Sequence, residues 1–221
     1  MGNKTSRFHF TRKPPKPKGY ISNYHEMLSS FKLEEKSDHD EKEHLVHFII
    51  KELFKGNFSS PIHNILSDPN AKILDVGEFT ETQWETFVYQ ELARVLKPGG
   101  WLEICDPEIE FSNCVCNCLM AINVNPQMAL RHHSLIKSFP IFSNVIHDKG
   151  HMQLGNYTHK IGKIGTLTMK EYSRFAYKGP IGKIMKIDPK DINSLTDKIE
   201  IECELYKPYY FYHRVCAQKA A

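Results

Sequence analysis

Acids and thiols crowd one short stretch of this 221-residue chain: Glu103, Cys105 and Asp106 close an apolar run, and Cys114, Cys116 and Cys118 follow in CVCNC. A carboxylate at the exit of a strand can take up a proton or hold a polar ligand, so Glu103 and Asp106 are candidate residues for the edge of a site, with solvated strand-end acids as the alternative. Four thiols, counting Cys105, would suffice for a metal. Structural zinc sites, however, pair ligands two to four residues apart in two separated knuckles, and CVCNC has no second knuckle. No metal site is expected, and these thiols read as a small apolar helix face. The pairs His44/His47 and His147/His151 fall at ligand spacing, yet with 12 histidines in the chain some pairs do so by chance. At the N-terminus, MGNKTSR matches the N-myristoylation pattern, with Gly2 as the acylated residue four positions before Ser6.

The elements that position these residues follow from apolar spacing and turn chemistry. Residues 37 or 38 to 55 predict a helix from a polar cap and from Leu45, Val46, Ile49 and Leu53 on one face, and Gly56 ends it. Ser60 and Pro61 start the short helix PIHNIL. After Asp68, Pro69 and Asn70 the run at 71–76 reads as a strand. Thr80 and Gln83 form a capping box for a helix over 81–96, whose Trp84, Phe87, Val88, Leu92, Val95 and Leu96 are core positions. In KPGG, Pro98 and Gly99 suit the second and third positions of a type II turn, and Trp101, Leu102 and Ile104 follow as a strand covered on both faces.

Further on, the spacing predicts a helix over 127–138, an edge strand at 142–147, and a loop or lid over 148–167, rich in glycine and polar residues. A helix carrying YSRFAY ends near Gly179, and a long helix is capped by Asp188 with Pro189 at its first position. KPYYFYHRVCAQK alternates as a last strand.

ARVLKPGGWLEI at 93–104 and AKILDVG at 71–77 together resemble the fifth strand and the first strand with its glycine loop in class I S-adenosylmethionine (SAM) dependent methyltransferases. GNFSSPI at 56–62 is similar to a fungal-type group of small methyltransferases, and the likeness spans roughly residues 20–219. The resemblance implies an α/β, truncated Rossmann-like fold: a reduced central sheet with flanking helices, closed by the last strand as an antiparallel partner. It implies SAM as cofactor, Asp75 and Gly77 as the cofactor-binding residues, and a small-molecule methyl acceptor. The glycine loop stops at Gly77, and two strand–helix units of about 50 residues are missing after it. Residues 72–76 would then pair directly beside 101–105. SAM would lose several hydrogen bonds of about 1–3 kcal/mol each. The alternative is a membrane-tethered, non-catalytic relative acting as an interaction module.

Composition sets the remaining bounds. A 25.7 kDa chain of net charge +3 fits one domain over 21–221 behind a disordered basic tail at 1–20. The tail holds Lys4, Arg7, Arg12, Lys13, Lys16 and Lys18 and no acid. With Gly2 it can contact an anionic membrane surface, or it only keeps the chain soluble. The overall basic balance is too slight to argue for nucleic acid, so none is expected as a partner. No apolar run approaches the roughly 20 residues of a membrane span and no secretory signal is present, so the expected location is cytoplasmic, peripheral at a membrane if Gly2 is acylated, with reduced thiols.

Overall fold

The computed structural model describes residues 39–75, 84–108, 120, 125–155 and 160–221. They fall into two units, one containing residues 61–75 and the other containing 39–60 with the described chain from 84 onward. In chain order the elements are α1 (His39–Leu53), α2 (His63–Leu66), α3 (Trp84–Val95), β1 (Trp101–Pro107), α4 (Met128–Ser138), β2 (Phe142–Gln153), α5 (Lys160–Lys178), α6 (Pro180–Ile184), a 3-10 turn at Pro189–Asp191, α7 (Ile192–Tyr206) and β3 (Tyr209–Lys219).

The larger unit is mixed α/β around a three-stranded sheet of order β1-β3-β2. β3 is antiparallel to both neighbours, so β1 and β2 run the same way. On one face, Leu102, Ile104, Val215 and Ala217 meet Tyr89 and Ala93 of α3 and Ile136 of α4. Tyr89, Ile136 and Val215 have no measurable exposure, and each such side chain contributes roughly 1.5–3 kcal/mol by leaving water. On the opposite face Gly150 of β2 lies against Leu53 and Phe54 at the end of α1, and Gly165 of α5 lies against Met152 and Leu154.

The KPGG turn forms as its residues dictate. Gly99 has φ +75°, a conformation that favours glycine, and Gly100 N–H closes the turn on Lys97 O at 2.9 Å. The turn is tied to β3 by Gly99 N–H to Lys219 O at 2.9 Å and Lys219 N–H to Gly100 O at 2.8 Å. Lys219 Nζ also donates to Ala93 O and Leu96 O, both at 2.7 Å, placing a cation on the carbonyl end of α3.

Four expectations need correction. Residues 71–75 form no strand; Ile73 and Leu74 are 38% and 52% exposed, so neither burial nor a ladder of hydrogen bonds holds the segment extended. The pairing of 72–76 beside 101–105 is accordingly absent among the described residues, and β1 pairs with β3 instead. The final strand does not close the sheet but lies in its middle, which its six consecutive buried residues 212–217 require. Finally, the described parts of 148–167 are largely regular structure rather than loop: β2 continues to Gln153 and α5 begins at Lys160. Gly165 serves close packing, since a Cβ on it would lie 2.7 Å from Met152 Cε.

Other elements form where expected, namely α1, α2, α4, the start of β2 and the end of α5. Asp188 Oδ1 accepts from Lys190 N–H at 3.0 Å, and the helix it caps opens with a 3-10 turn before α7.

Candidate functional site

Glu103 and Asp106 are three residues apart on β1 and therefore face opposite sides of the sheet. Glu103 shares its face with Arg214 and Cys216, as the register with β3 shows. Its carboxylate accepts from Ser59 N–H at 3.0 Å and Ser60 N–H at 2.9 Å, and from Ser60 Oγ at 2.5 Å. Arg214 Nε stands 3.4 Å away, an ion pair rather than a directed hydrogen bond, and Arg214 itself is 2% exposed. Arg214 also donates to Gly56 O at 3.2 Å and lies 4.3 Å from the Phe54 ring centroid. Glu103 is thus committed to holding the 56–60 turn against the sheet. Burial raises the neighbouring Cys105 thiol to about 11, against the opposing pull of Arg214, so it is not a nucleophile near neutrality.

Asp106 points to the other face, directly across from His213. His132 Nε2 lies 2.5 Å from Asp106 Oδ2, and His132 Nδ1 lies 2.5 Å from the Tyr89 hydroxyl. An ionised carboxylate only accepts, so Nε2 carries the proton and the tyrosine donates to Nδ1. His132 is 1% exposed while Asp106 is 43% exposed. The relay therefore meets solvent at its carboxylate, and Asp106 is the group that can accept a proton from a bound molecule.

A second, separate chain lies beside this one, His213 being the cross-strand neighbour of Asp106. His213 Nε2 donates to Glu108 Oε2 at 2.7 Å, and Lys149 Nζ pairs with the same oxygen at 2.7 Å. His147 Nε2 lies 2.8 Å from His213 Nδ1, and His147 stacks between His133 and His213 at centroid distances of 5.4 and 5.0 Å. Burial alone would raise Glu108, but hydrogen bonds and charge from His213 and Lys149 outweigh it and hold the carboxyl below its ordinary value. Burial, then the charges of His213 and His133, push His147 down.

Of the residues singled out from sequence, Asp106 belongs to this constellation and Glu103 does not. Asp75 is exposed and belongs to the other unit. It stands on irregular backbone rather than at the end of a strand. Gly77, Gly2, the basic tail and CVCNC lie outside the described residues. His147 bonds to His213 rather than to His151, and among the described residues no group of three or more His, Cys, Asp or Glu is arranged to hold a metal. Sequence reasoning missed Tyr89, Glu108, His132, His133, Lys149 and His213. Their separations, 43 residues for Tyr89 to His132 and 105 for Glu108 to His213, leave no local signal.

A shallow concavity of about 370 Å³ is lined by Lys186, Asp188, Asp191, Ser194 and Lys198 with Ile187 and Leu195. None of the relay residues reaches it. No protein-family model matches the chain, and no curated protein matches it either.

Proposed function

We propose that the chain is a class I SAM-dependent methyltransferase relative, of the small-molecule type, that does not turn over SAM and serves as an interaction module. Several features support the ancestry: the KPGG turn with Gly99 at positive φ, the common direction of β1 and β2, the antiparallel final strand, and helices on both faces of the sheet. The observation that carries the non-catalytic reading is the placement of the two acids nearest the resemblance motifs. Asp75 stands on exposed, irregular backbone, and Glu103 is bound to Ser59, Ser60 and Arg214.

Isothermal titration of the full chain with SAM and with its demethylated product tests this. The expected result is no saturable heat at micromolar ligand from a folded protein. Saturable micromolar binding with transfer of a labelled methyl group overturns it.

One observation favours an active enzyme as the second reading: Asp106, backed by His132 and Tyr89, is exposed at the carboxyl end of β1, the end of a strand where α/β ligands bind. There it would take the proton of a hydroxyl or amine acceptor. Methyl transfer to a small molecule that disappears in Asp106→Asn is the result that would establish it.

A further inference from the structure

The α5–α6 corner concentrates positive charge. Residues 175–190, FAYKGPIGKIMKIDPK, hold four lysines and one aspartate, a net +3 that equals the formal charge of the whole chain. Lys178, Lys183 and Lys186 are exposed, and none has an acid partner among the described residues; Lys190 pairs with the one aspartate, Asp188, at 2.9 Å. Among these lysines stand large apolar side chains left in water: Phe175 at 73%, Tyr172 at 48% and Ile184 at 46% exposure. Tyr172, Phe175 and Lys178 recur every three residues on α5 and so share one side of that helix.

The corner is held rigidly. α6 begins one residue after α5 ends, and Gly182 lies so close to the α5 backbone that a Cβ would fall 1.7 Å from Tyr177 O. Exposed aromatic and aliphatic tips within one short structured stretch that also carries unpaired lysines are the chemistry of a surface that enters the headgroup layer of an anionic membrane. A second apolar patch, on α7, has the opposite charge. Ile201, Leu205 and Tyr206 are 65%, 66% and 73% exposed, but Asp197, Glu200, Glu202 and Glu204 share that helix, and an anionic surface would repel it. Charge therefore selects between the two patches.

We propose that the α5–α6 corner, through Lys178, Lys183 and Lys186 with Phe175 and Ile184, is a contact surface for anionic lipid headgroups. No described helix is long and apolar enough to cross a membrane, so the contact is peripheral. It extends the interaction-module reading by naming a partner, but it stands on the corner's own charge and exposure rather than on the cofactor question.

The test is cosedimentation of the full, unacylated chain with phosphatidylserine/phosphatidylcholine vesicles and with pure phosphatidylcholine vesicles. The variants are Lys178→Gln/Lys183→Gln/Lys186→Gln and Phe175→Ala, each checked for folding by circular dichroism. Near an anionic surface each lysine contributes about five-fold. The triple variant should bind phosphatidylserine vesicles about 100-fold more weakly, and Phe175→Ala roughly ten-fold more weakly, with little binding of any form to neutral vesicles. Equal binding by the triple variant and the parent chain overturns the proposal and assigns vesicle affinity to the N-terminal tail. Loss of affinity for a single-stranded oligonucleotide in the triple variant, with no vesicle binding by the parent, overturns it in favour of nucleic acid. SAM titration of the same preparation separates the two ideas: saturable SAM binding with lysine-dependent vesicle binding removes the non-catalytic reading and leaves the lipid surface intact.

Discussion

His132 and Asp106 are joined at 2.5 Å between Nε2 and Oδ2, with the imidazole 1% exposed and the carboxylate 43% exposed. The order is the reverse of a relay that ends on an exposed imidazole: the buried ring orients the acid. Tyr89, whose side chain is wholly buried, fixes the ring from the other side.

Removing the tyrosine hydroxyl leaves Nδ1 of His132 without its donor in a site closed to water. Tyr89→Phe is expected to lower unfolding free energy by about 1–3 kcal/mol with an unchanged denaturant slope, measured by urea titration. A change within about 0.3 kcal/mol would mean that the hydroxyl–imidazole contact does not hold the ring.

Breaking the Glu103–Arg214 pair should cost more. Glu103→Ala strips the acceptor from Ser59 N–H and Ser60 N–H and leaves Arg214 buried without its acid partner. The expected loss is about 3–5 kcal/mol, by analogy with other broken buried pairs. Protease cleavage near residues 56–60 should quicken along with it; a stable variant with an intact turn would show that Glu103 does not hold the turn.

Acid should weaken the fold in two steps of the same sign. His147 has a folded pKa below its ordinary 6.5, so its contribution is present above 6.5 and is lost as pH falls through the folded value. Glu108 is likewise held below its ordinary 4.5, and its contribution is lost at still lower pH. His147→Asn should flatten stability just below pH 6.5 and Glu108→Gln should flatten it below pH 4.5, as followed by thermal melts across pH. Unaltered profiles in both variants would show that the chain of histidines is not coupled to folding.

Gly182 offers a sharper steric test. Its hypothetical Cβ meets the backbone of Tyr177 at 1.7 Å, whereas that of Gly165 meets the mobile end of Met152. Gly182→Ala is expected to destabilise by about 1–3 kcal/mol or more and to raise hydrogen exchange in α6, while Gly165→Ala costs less because Met152 can turn aside. Equal behaviour of the two variants would contradict the close approach of α6 to α5.

Local chemistry was the legible part of this chain. Gly99, Asp188 and the spacing of Leu45 and Ile49 act within a turn or two, and each element they announce is formed. Gly165 misled because glycine serves both loops and tight helix packing, and only the facing Met152 and Leu154 distinguish the two. Residues 71–75 misled because an apolar run supports a strand only when a neighbour completes its ladder. At the site, Asp106 was visible as an acid closing a strand. His132 and His213 reach it from a helix and from the far end of the chain, and no periodicity encodes such a meeting.

The central place of β3 also sets the order in which the molecule can be assembled. β1 and β2 share no ladder with each other, so each waits for Tyr209–Lys219 to supply its hydrogen bonds. Contacts such as Glu108 to His213 close over 105 residues, which makes folding slow and late. During synthesis both strands are translated with their edges open, and the sheet forms only after residues 209–219 have cleared the ribosome. A cell that makes this chain must shield those edges in the interval, so its yield should depend on chaperone supply more than its size would suggest.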